Sequence, residues 1–239
     1  MNEFHYYNLF ETKGAEYLLT IVFFLLLVPF WIMLNRKAST PILVSKRASI
    51  LDNLLSIPQE IHLSMNNTWV QILHPTKVRV GLNDLIINMI GENQLKFFKQ
   101  NGDYVNKGDL IAQIGDAEKM LNILAPVSGT ISGLNPKLQH QKVIVGQVPY
   151  ESNWMLDINP KNWQVEAQEL MSGEVAKNWL SLELGRMRDF FVGRLAITTY
   201  NQHIILQDGG EINPDLLREM PAPIWNDFQQ AFLSMPSEN

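Results

Sequence analysis

The sequence predicts a β-rich protein in which a single transmembrane helix precedes the body and a small α/β extension follows it. Two observations support this prediction. An uncharged run, YLLTIVFFLLLVPFWIML, extends from Tyr17 to Leu34. From about Ser56 onward, short runs such as TWVQIL and TKVRVGL are separated by Gly, Asn and Pro, a pattern typical of strands joined by turns.

The composition excludes several kinds of chemistry. The chain has 239 residues, enough for one or two domains, and contains no cysteine. Disulfides, iron–sulfur clusters and cysteine nucleophiles are therefore excluded. The net charge is -5 at pH 7, so a general electrostatic affinity for nucleic acid is not expected. We expect partners that are proteins rather than nucleic acids.

The uncharged run at 17–34 predicts a membrane anchor. Its 18 residues reach about 27 Å as an α-helix, and Pro29 within it is tolerated in a bilayer. Basic pairs follow the run at 36–37 and 46–47, whereas residues 1–16 are net negative. Positive charge favours the cytoplasmic side of a membrane. We therefore expect a single-pass protein of the inner or plasma membrane, with residues 1–16 outside, the body in the cytoplasm and the lipid bilayer as a partner.

The remainder of the chain is divided by changes in its hydrophobic pattern. Residues 35–55 are a mixed linker, and residues 56–180 are the β-rich body. Within the body, residues 82–91 carry apolar side chains at helical spacing and end in Gly, which predicts a short helix. A second helical pattern covers residues 162–184. Residues 181–239 form the C-terminal extension.

The C-terminal extension contains ITTYNQHIILQDGG, a run typical of strands. A last helix is predicted after Pro-Ala-Pro at 221–223. This helix carries several apolar side chains, among them Trp225 and Phe228. Apolar residues on a helix are a common basis for recognition, so we expect the extension to bind a partner.

Five segments of the body follow one another in a characteristic order, namely NTWVQI, KVRVGLNDLIINMIGEN, NGDYVNKGDLIAQIG, LAPVSGTISGLNP and VPYESNWMLDINP. In this order they resemble the H protein of the glycine cleavage system, which belongs to the lipoyl/biotinyl carrier family. The resemblance covers about half the chain, from Ser56 to Leu180. It implies a flattened β-sandwich of two small sheets, with a carrier lysine at the tip of a β-hairpin. Here that hairpin would lie between Gln113 and Leu124.

The position of the carrier lysine is where this chain departs from the resemblance. In lipoyl-bearing H proteins the modified lysine follows the Gly of the Gly-Asp turn by ten residues and precedes the Ala of Ala-Pro-Val-Ser-Gly by seven. Counting from Gly108 and from Ala125 gives the same position, and it is occupied by Glu118. Lys119 is the neighbouring amine, but a shift of one residue turns a strand side chain to the opposite face.

Two functional hypotheses remain open from the sequence. The first is a non-enzymatic, non-lipoylated H-protein-like subunit that serves as a structural or interaction module of a membrane-associated complex, with no cofactor. The second is a membrane-tethered carrier in which lipoate on Lys119 acts as a swinging arm for electron or acyl/aminomethyl transfer. Membership of the soluble glycine cleavage system is disfavoured, because an anchor would not help a carrier that visits soluble enzymes.

Other candidate sites are not supported by the sequence. The five histidines, at 5, 62, 74, 140 and 203, lack the spacing of a metal site, so no metal is expected. Ser128 lies in V-S-G rather than in the G-x-S-x-G of a hydrolase. Asn66 satisfies a glycosylation sequon with Thr68, which has no meaning for a cytoplasmic body.

Overall fold

The computed structural model describes residues 9–35, 57–116, 118–143, 150–197 and 215–235. The chain divides into two compact units, Met1–Ala48 and Ser49–Asn239. The first unit contains helix α1 (Leu9–Asn35), whose side chains between Tyr17 and Trp31 are exposed. All other described elements belong to the second unit.

The second unit is built mainly of short strands, with helices near its two sheets and toward the C-terminus. Its strands are β1 (Ile61–Leu63), β2 (Thr68–His74), β3 (Lys77–Leu82), β4 (Gln94–Phe97), β5 (Tyr104–Val105), β6 (Leu110–Asp116), β7 (Lys119–Leu124), β8 (Gly129–Leu134), β9 (Trp154–Pro160) and β10 (Met171–Ser172). Its helices are α2 (Asp84–Ile90), α3 (Trp163–Glu166), α4 (Gly173–Ile197), α5 (Leu216–Glu219) and α6 (Ala222–Phe228). A 3-10 turn (Ala167–Glu169) follows α3, and a π-helical turn (Gln229–Leu233) continues α6.

The strands form two antiparallel sheets. The larger sheet has the order β10-β1-β2-β3-β9-β8-β5, and the smaller has the order β4-β6-β7. The prediction of a β-rich body made of two sheets is therefore confirmed. Because β7 lies at the end of its order, its outer backbone groups have no neighbouring strand within this sheet.

Trp69 organises the centre of the larger sheet. Its side chain is fully buried, and its indole Nε1 donates a hydrogen bond of 2.9 Å to the carbonyl of Leu82. Across the β2–β3 pair it lies opposite Gly81, and its ring occupies the space where a side chain at position 81 would be. The ring of Tyr150 packs edge-on against it at 5.8 Å. A buried Trp is thus accommodated because its cross-strand partner is Gly.

Helix α2 forms where the sequence predicts it, over residues 84–90 within 82–91. The side chain of Asn83 accepts a hydrogen bond from the backbone N–H of Leu85, which caps the N-terminus. Gly91 ends the helix with a positive φ of 71°, a conformation in which Gly is favoured.

The helical pattern at 162–184 is realised as several elements rather than as one helix. Helix α3 and the 3-10 turn are followed by strand β10, which pairs with β1 through His62↔Ser172 and Leu63↔Met171. Helix α4 begins only at Gly173, whose φ is 55°. The periodicity was misleading here because pairing with the sheet edge outweighs helical spacing at Met171 and Ser172.

The prediction of a transmembrane helix at 17–34 is wrong. Across the part of the chain that the structure describes, none of the helices combines the length and the apolar character needed to cross a membrane. The expected single-pass localisation, with residues 1–16 outside and a cytoplasmic body, depended on this helix and is wrong as well. The lipid bilayer is therefore no longer supported as a partner. The uncharged run is short for a membrane span, because its 18 residues reach about 27 Å as a helix and the hydrocarbon core of a bilayer is about 30 Å thick.

Two other predictions fall mainly outside the described residues. These are the linker at 35–55 and the strand-like run ITTYNQHIILQDGG of the extension, at 197–210. The final helix after Pro-Ala-Pro is described, and it is confirmed as α6 and the π-helical turn.

The Trp69–Gly81 contact predicts a severe effect of Gly81→Ala. A Cβ at position 81 would lie 2.2 Å from Cζ2 of Trp69, so the buried ring or the strand must move. We expect the free energy of unfolding in urea to fall by about 2–3 kcal/mol. The matched control is Gly133→Ala in β8, where the nearest atom would lie 3.8 Å away. Equal stability of the two variants would contradict this account.

Candidate functional site

The β6–β7 hairpin contains the position that the resemblance assigns to a carrier residue. Its strands pair from Leu110↔Leu124 to Asp116↔Lys119, and Glu118 lies in the turn between them. Gly115 has a φ of 138°, and a Cβ there would lie 1.9 Å from the carbonyl oxygen of Lys119. Gly at this position therefore permits the two strands to approach closely just before the turn.

Glu118 and Lys119 have different surroundings. Glu118 belongs to the turn and is exposed. Lys119 is the first residue of β7 and is half-buried, and its Nζ donates a hydrogen bond of 3.1 Å to the carbonyl of Arg218. Because strand side chains alternate, Lys119 shares a strand face with Leu121 and Ile123, which are fully buried.

A cleft of about 620 Å³ lies beside the hairpin turn. Its lining combines acidic with basic side chains, in addition to polar groups and Trp225. The charged residues of the lining are Glu92, Asp116, Glu118, Lys119, Lys142 and Arg218. With three charges of each sign, the lining itself has no marked preference for an anionic or a cationic ligand.

Residues 215–235, here called the cap segment, pass along the hairpin. The segment starts at the end of α2, where the backbone N–H of Asp215 donates to the carbonyl of Asn88 at 2.9 Å. It then passes the hairpin turn at Arg218 and reaches the outer edge of β7 at Gln229. At its end the side chain of Met235 lies near Gly108.

The edge of β7 is satisfied by a side chain of the cap segment. The backbone N–H of Asn122 donates to Oε1 of Gln229 at 2.6 Å, and Nε2 of Gln229 donates to the carbonyl of Asn122 at 3.3 Å. The amide of Gln229 thus makes both bonds that a neighbouring strand would make. The side chain of Asn122 in turn accepts a hydrogen bond of 2.7 Å from Nε2 of Gln113.

The apolar residues of the cap segment are turned into the molecule. Trp225 and Phe228 are 1% and 0% exposed. The indole of Trp225 donates to the carbonyl of Leu217 at 2.7 Å, and the ring of Phe228 stacks on Phe191 of α4 at 5.8 Å. The expectation that these residues bind a partner is therefore wrong, because the fold of the chain itself buries them.

A buried polar junction at Asn67 joins the cap segment to the sheet and to α4. Nδ2 of Asn67 donates to Oε1 of Glu183 at 2.9 Å and to the carbonyl of Phe232 at 3.0 Å. Oδ1 of Asn67 accepts a hydrogen bond of 3.2 Å from Nδ2 of Asn83. Both Asn67 and Glu183 are almost fully buried. One side chain thus connects β2, α2, α4 and the π-helical turn.

The buried Glu183 has a second partner on its own helix. Nη1 of Arg186 donates to Oε2 of Glu183 at 2.5 Å, and Nη2 of Arg186 donates to the carbonyl of Ala231 at 3.3 Å. A buried carboxylate needs both a counter-charge and hydrogen bonds, and Glu183 has both. Arg186 therefore ties α4 to the cap segment a second time.

Sequence reasoning considered Asn66-Asn67-Thr68 only as a glycosylation sequon and missed this role. All three side chains are buried, and Thr68 Oγ1 donates to Oδ1 of Asn66 at 2.6 Å. Nδ2 of Asn66 donates to the carbonyl of Leu124 at the end of β7. A signal was present, because two consecutive Asn before a strand favour a turn with positive φ, and φ of Asn67 is 56°.

Burial also affects an acidic group at the start of α2. Desolvation raises the pKa of Asp84 to about 6, although the backbone N–H of Tyr150 donates to its Oδ2 at 3.0 Å. Burial, and then the charge of Asp84, raise the pKa of the Tyr150 hydroxyl above its usual range. Asp84 therefore takes up a proton at a higher pH in the folded chain than in the unfolded one.

The other residues considered from the sequence have structural surroundings. The hydroxyl of Ser128 accepts from the backbone N–H of Lys107 at 2.9 Å, and its own N–H donates to Glu166 at 2.7 Å. His62 lies beside Trp163 with 6.2 Å between ring centroids. Over the described ranges, no three His, Asp or Glu side chains converge as a metal site would require.

The Asn67 junction predicts a large effect of Asn67→Ala on stability. The change removes two donated hydrogen bonds and leaves buried polar groups of Asn83, Glu183 and Phe232 with fewer partners. We expect the free energy of unfolding in urea to fall by about 3 kcal/mol. Asn178→Ala on the exposed face of α4 is the control and should change it by less than about 0.5 kcal/mol. A similar small change for Asn67→Ala would rule out the junction as a stabilising contact.

The raised pKa of Asp84 predicts a specific pH dependence of stability. The folded-state pKa of about 6 lies above the unfolded value of 3.8. Asp84 therefore contributes most to the free energy of unfolding below pH 4, and this contribution is lost as the pH rises through 6. The free energy of unfolding falls by at most about 3 kcal/mol from this cause. When unfolding in urea is measured between pH 4 and pH 7, the free energy of unfolding of Asp84→Asn should depend less on pH than that of the wild type. Asp189→Asn, at an exposed position, should retain it in full.

The comparisons with known proteins agree on one family. The family model described as Glycine cleavage H-protein matches residues 61–182, just over half the chain. A Halalkalibacterium halodurans protein named "Glycine cleavage system H protein" is 27% identical over 128 residues, which cover 54% of this chain and 98% of the relative. A Thermococcus gammatolerans protein named "Probable glycine cleavage system H protein" is 27% identical over 124 residues, 52% of this chain and 92% of the relative.

A solved glycine cleavage system H protein from Mycobacterium marinum is also similar, with 19% identity and a TM-score of 0.35. The likeness covers 44% of this chain and 87% of that structure. The assignment depends on the family model, whose match includes the β6–β7 hairpin, Asn67 and the first part of α4, whereas Glu183 and Phe232 lie beyond it. On this evidence, the chain belongs to the glycine cleavage H-protein family.

Proposed function

We propose that this chain is an H-protein-like interaction module that carries no lipoate. Members of the family are carrier proteins rather than catalysts. The observation that carries the proposal is the exposed carboxylate of Glu118 in the turn of the β6–β7 hairpin. Lipoate is attached through an amide bond to an amine, and a carboxylate cannot form that bond. The residue at the turn therefore does not fit the cofactor of the family.

The surroundings of Lys119 support the same proposal. Lys119 is the first residue of β7 rather than a residue of the turn. Its amine donates a hydrogen bond to the carbonyl of Arg218. Attachment of a swinging arm there would require this hydrogen bond to be broken. The arm would also start on the strand face that Leu121 and Ile123 share.

Partners of the proposed module are other proteins. H proteins of this family act together with other glycine cleavage proteins, and this chain matches their family model over residues 61–182. The net charge of -5 is compatible with protein partners and unfavourable for nucleic acid. Without an arm, the module would contribute its surface to an assembly rather than a transferred group.

A second candidate function is a lipoyl carrier that uses Lys119. One observation favours it, namely that Lys119 adjoins the turn and is only half-buried. Its contact with Arg218 is a single hydrogen bond to a neutral carbonyl, which costs only about 1 kcal/mol to break. The two functions differ in one measurable property, the presence of a lipoyl group on the purified chain.

The proposal predicts the intact mass of the protein after incubation with excess lipoate and a lipoate ligase. The wild-type chain should keep the mass of its sequence, because no amine occupies the turn. Glu118→Lys should gain one lipoyl group, and so should Glu118→Lys combined with Lys119→Ala. The exchange at 118 should change stability by less than about 0.5 kcal/mol, since the position is exposed.

The matched control is Lys119→Ala alone, which should remain unmodified. A wild-type chain that gains a lipoyl group and loses it in Lys119→Ala would overturn the proposal and establish the carrier function. An H protein of known lipoylation, treated in parallel, shows that the ligase is active.

A further inference from the structure

The outer edge of β7 is already occupied by the chain itself. An edge strand presents unpaired N–H and C=O groups and is a ready site for the addition of another strand. At Asn122 both backbone groups are bonded to the side-chain amide of Gln229, at 2.6 and 3.3 Å. A side-chain amide has one donor and one acceptor end, as a peptide group does. Gln229 therefore replaces one residue of the missing neighbouring strand.

The same segment contacts the hairpin at a second point. Lys119, three residues before Asn122, donates from Nζ to the carbonyl of Arg218. Arg218 belongs to α5, whose neighbouring residue Leu217 accepts the indole N–H of Trp225 at 2.7 Å. Gln229 directly follows α6. The contacts that Arg218 and Gln229 make with β7 are therefore both held by the helix pair α5 and α6.

The cap segment packs tightly against the rest of the second unit. Its apolar side chains are nearly all buried, a set formed by Leu216, Leu217, Met220, Ile224, Trp225, Phe228, Phe232 and Leu233. Polar contacts add to this at Asn67, which donates to the carbonyl of Phe232, and at Arg194, which pairs with Asp227 at 2.8 Å. The cap segment is thus an integral part of the second unit.

From these contacts we infer that the cap segment closes the hairpin on the side of β7. It occupies the edge at Asn122 and holds the amine of Lys119, while the turn at Glu118 stays exposed. Another chain cannot add a strand to β7, and a modifying enzyme meets Lys119 already bound. The inference deepens the proposed function and rests on it, because a module without an arm loses nothing when this side of its hairpin is closed.

The first test is amide hydrogen exchange of the full-length protein, measured residue by residue by NMR. In the wild type the amide of Asn122 should be protected although its strand is at a sheet edge. In Gln229→Ala it should exchange about fivefold faster or more, as expected for the loss of one hydrogen bond. The matched control is Gln230→Ala, whose exposed side chain neighbours Gln229, and it should leave the rate unchanged.

The second test is competitive labelling of lysine amines with an acylating reagent, read by mass spectrometry. In the wild type Lys119 should react about two- to tenfold more slowly than Lys142, an exposed lysine of the same cleft. Trp225→Phe removes the indole bond to Leu217 while keeping an aromatic ring, and it should bring the two rates closer together.

The outcomes separate this inference from the proposed function. Equal exchange of Asn122 in the wild type and Gln229→Ala, or equal labelling of Lys119 and Lys142 in the wild type, would overturn the closed hairpin. Neither measurement involves lipoate. A lipoylated wild-type chain, detected by its mass, would contradict the proposed function, whereas the exchange rate of the Asn122 amide tests the closed hairpin separately.

Discussion

The buried side chain of Asn67 is the contact on which the arrangement of this molecule depends. It donates to Glu183 of α4 and to the carbonyl of Phe232 in the cap segment, and it accepts from Asn83 before α2. The donor and acceptor positions of one amide thus fix three segments that are up to 165 residues away in sequence. Because Asn67 and Glu183 are both buried, an incomplete junction would leave polar groups unpaired in the core. The position of the cap segment on the hairpin follows from it.

The hairpin combines a close approach of its two strands with an exposed carboxylate at its turn. Gly115 allows the two strands to approach closely, and the turn presents the exposed side chain of Glu118. Under the proposed function, the group at that turn is a carboxylate where a carrier would have an amine. A change of this kind costs the fold little, because an exposed turn residue has few packing partners. Under the proposed function, stability and carrier chemistry would therefore be separable at this position.

The cap segment adds a constraint that concerns the same hairpin. Aromatic rings of α4 and of the cap segment pack together, with Phe190, Phe191, Phe228 and Phe232 at centroid distances between 4.7 and 5.8 Å. This packing holds Gln229 at the edge of β7, where its amide completes the hydrogen bonding of Asn122. Natural sheets commonly protect their edges, and here the protection comes from outside the part of the chain that the family model matches.

The sequence by itself determined the β-rich body, helix α2 and the family, because these depend on local signals: alternating apolar residues, Gly-Asp turns and an ordered series of short motifs. It also predicts that Glu118 occupies the carrier position, since that prediction needs only a count from two flanking turns. The same local reasoning failed for the run at 17–34, since none of the described helices combines the length and the apolar character needed to cross a membrane. It also failed for residues 162–184, where pairing of Met171 and Ser172 with β1 replaces helix.

Only the tertiary structure decided what contacts the hairpin. Asn67 and Glu183 are separated by 116 residues, and Asn122 and Gln229 by 107, so no local pattern could pair them. The apolar residues Trp225 and Phe228 have the same helical spacing whether they face a partner or their own core. Their burial depends on the surface that α4 and β7 present to them, and that surface exists only after the chain has folded.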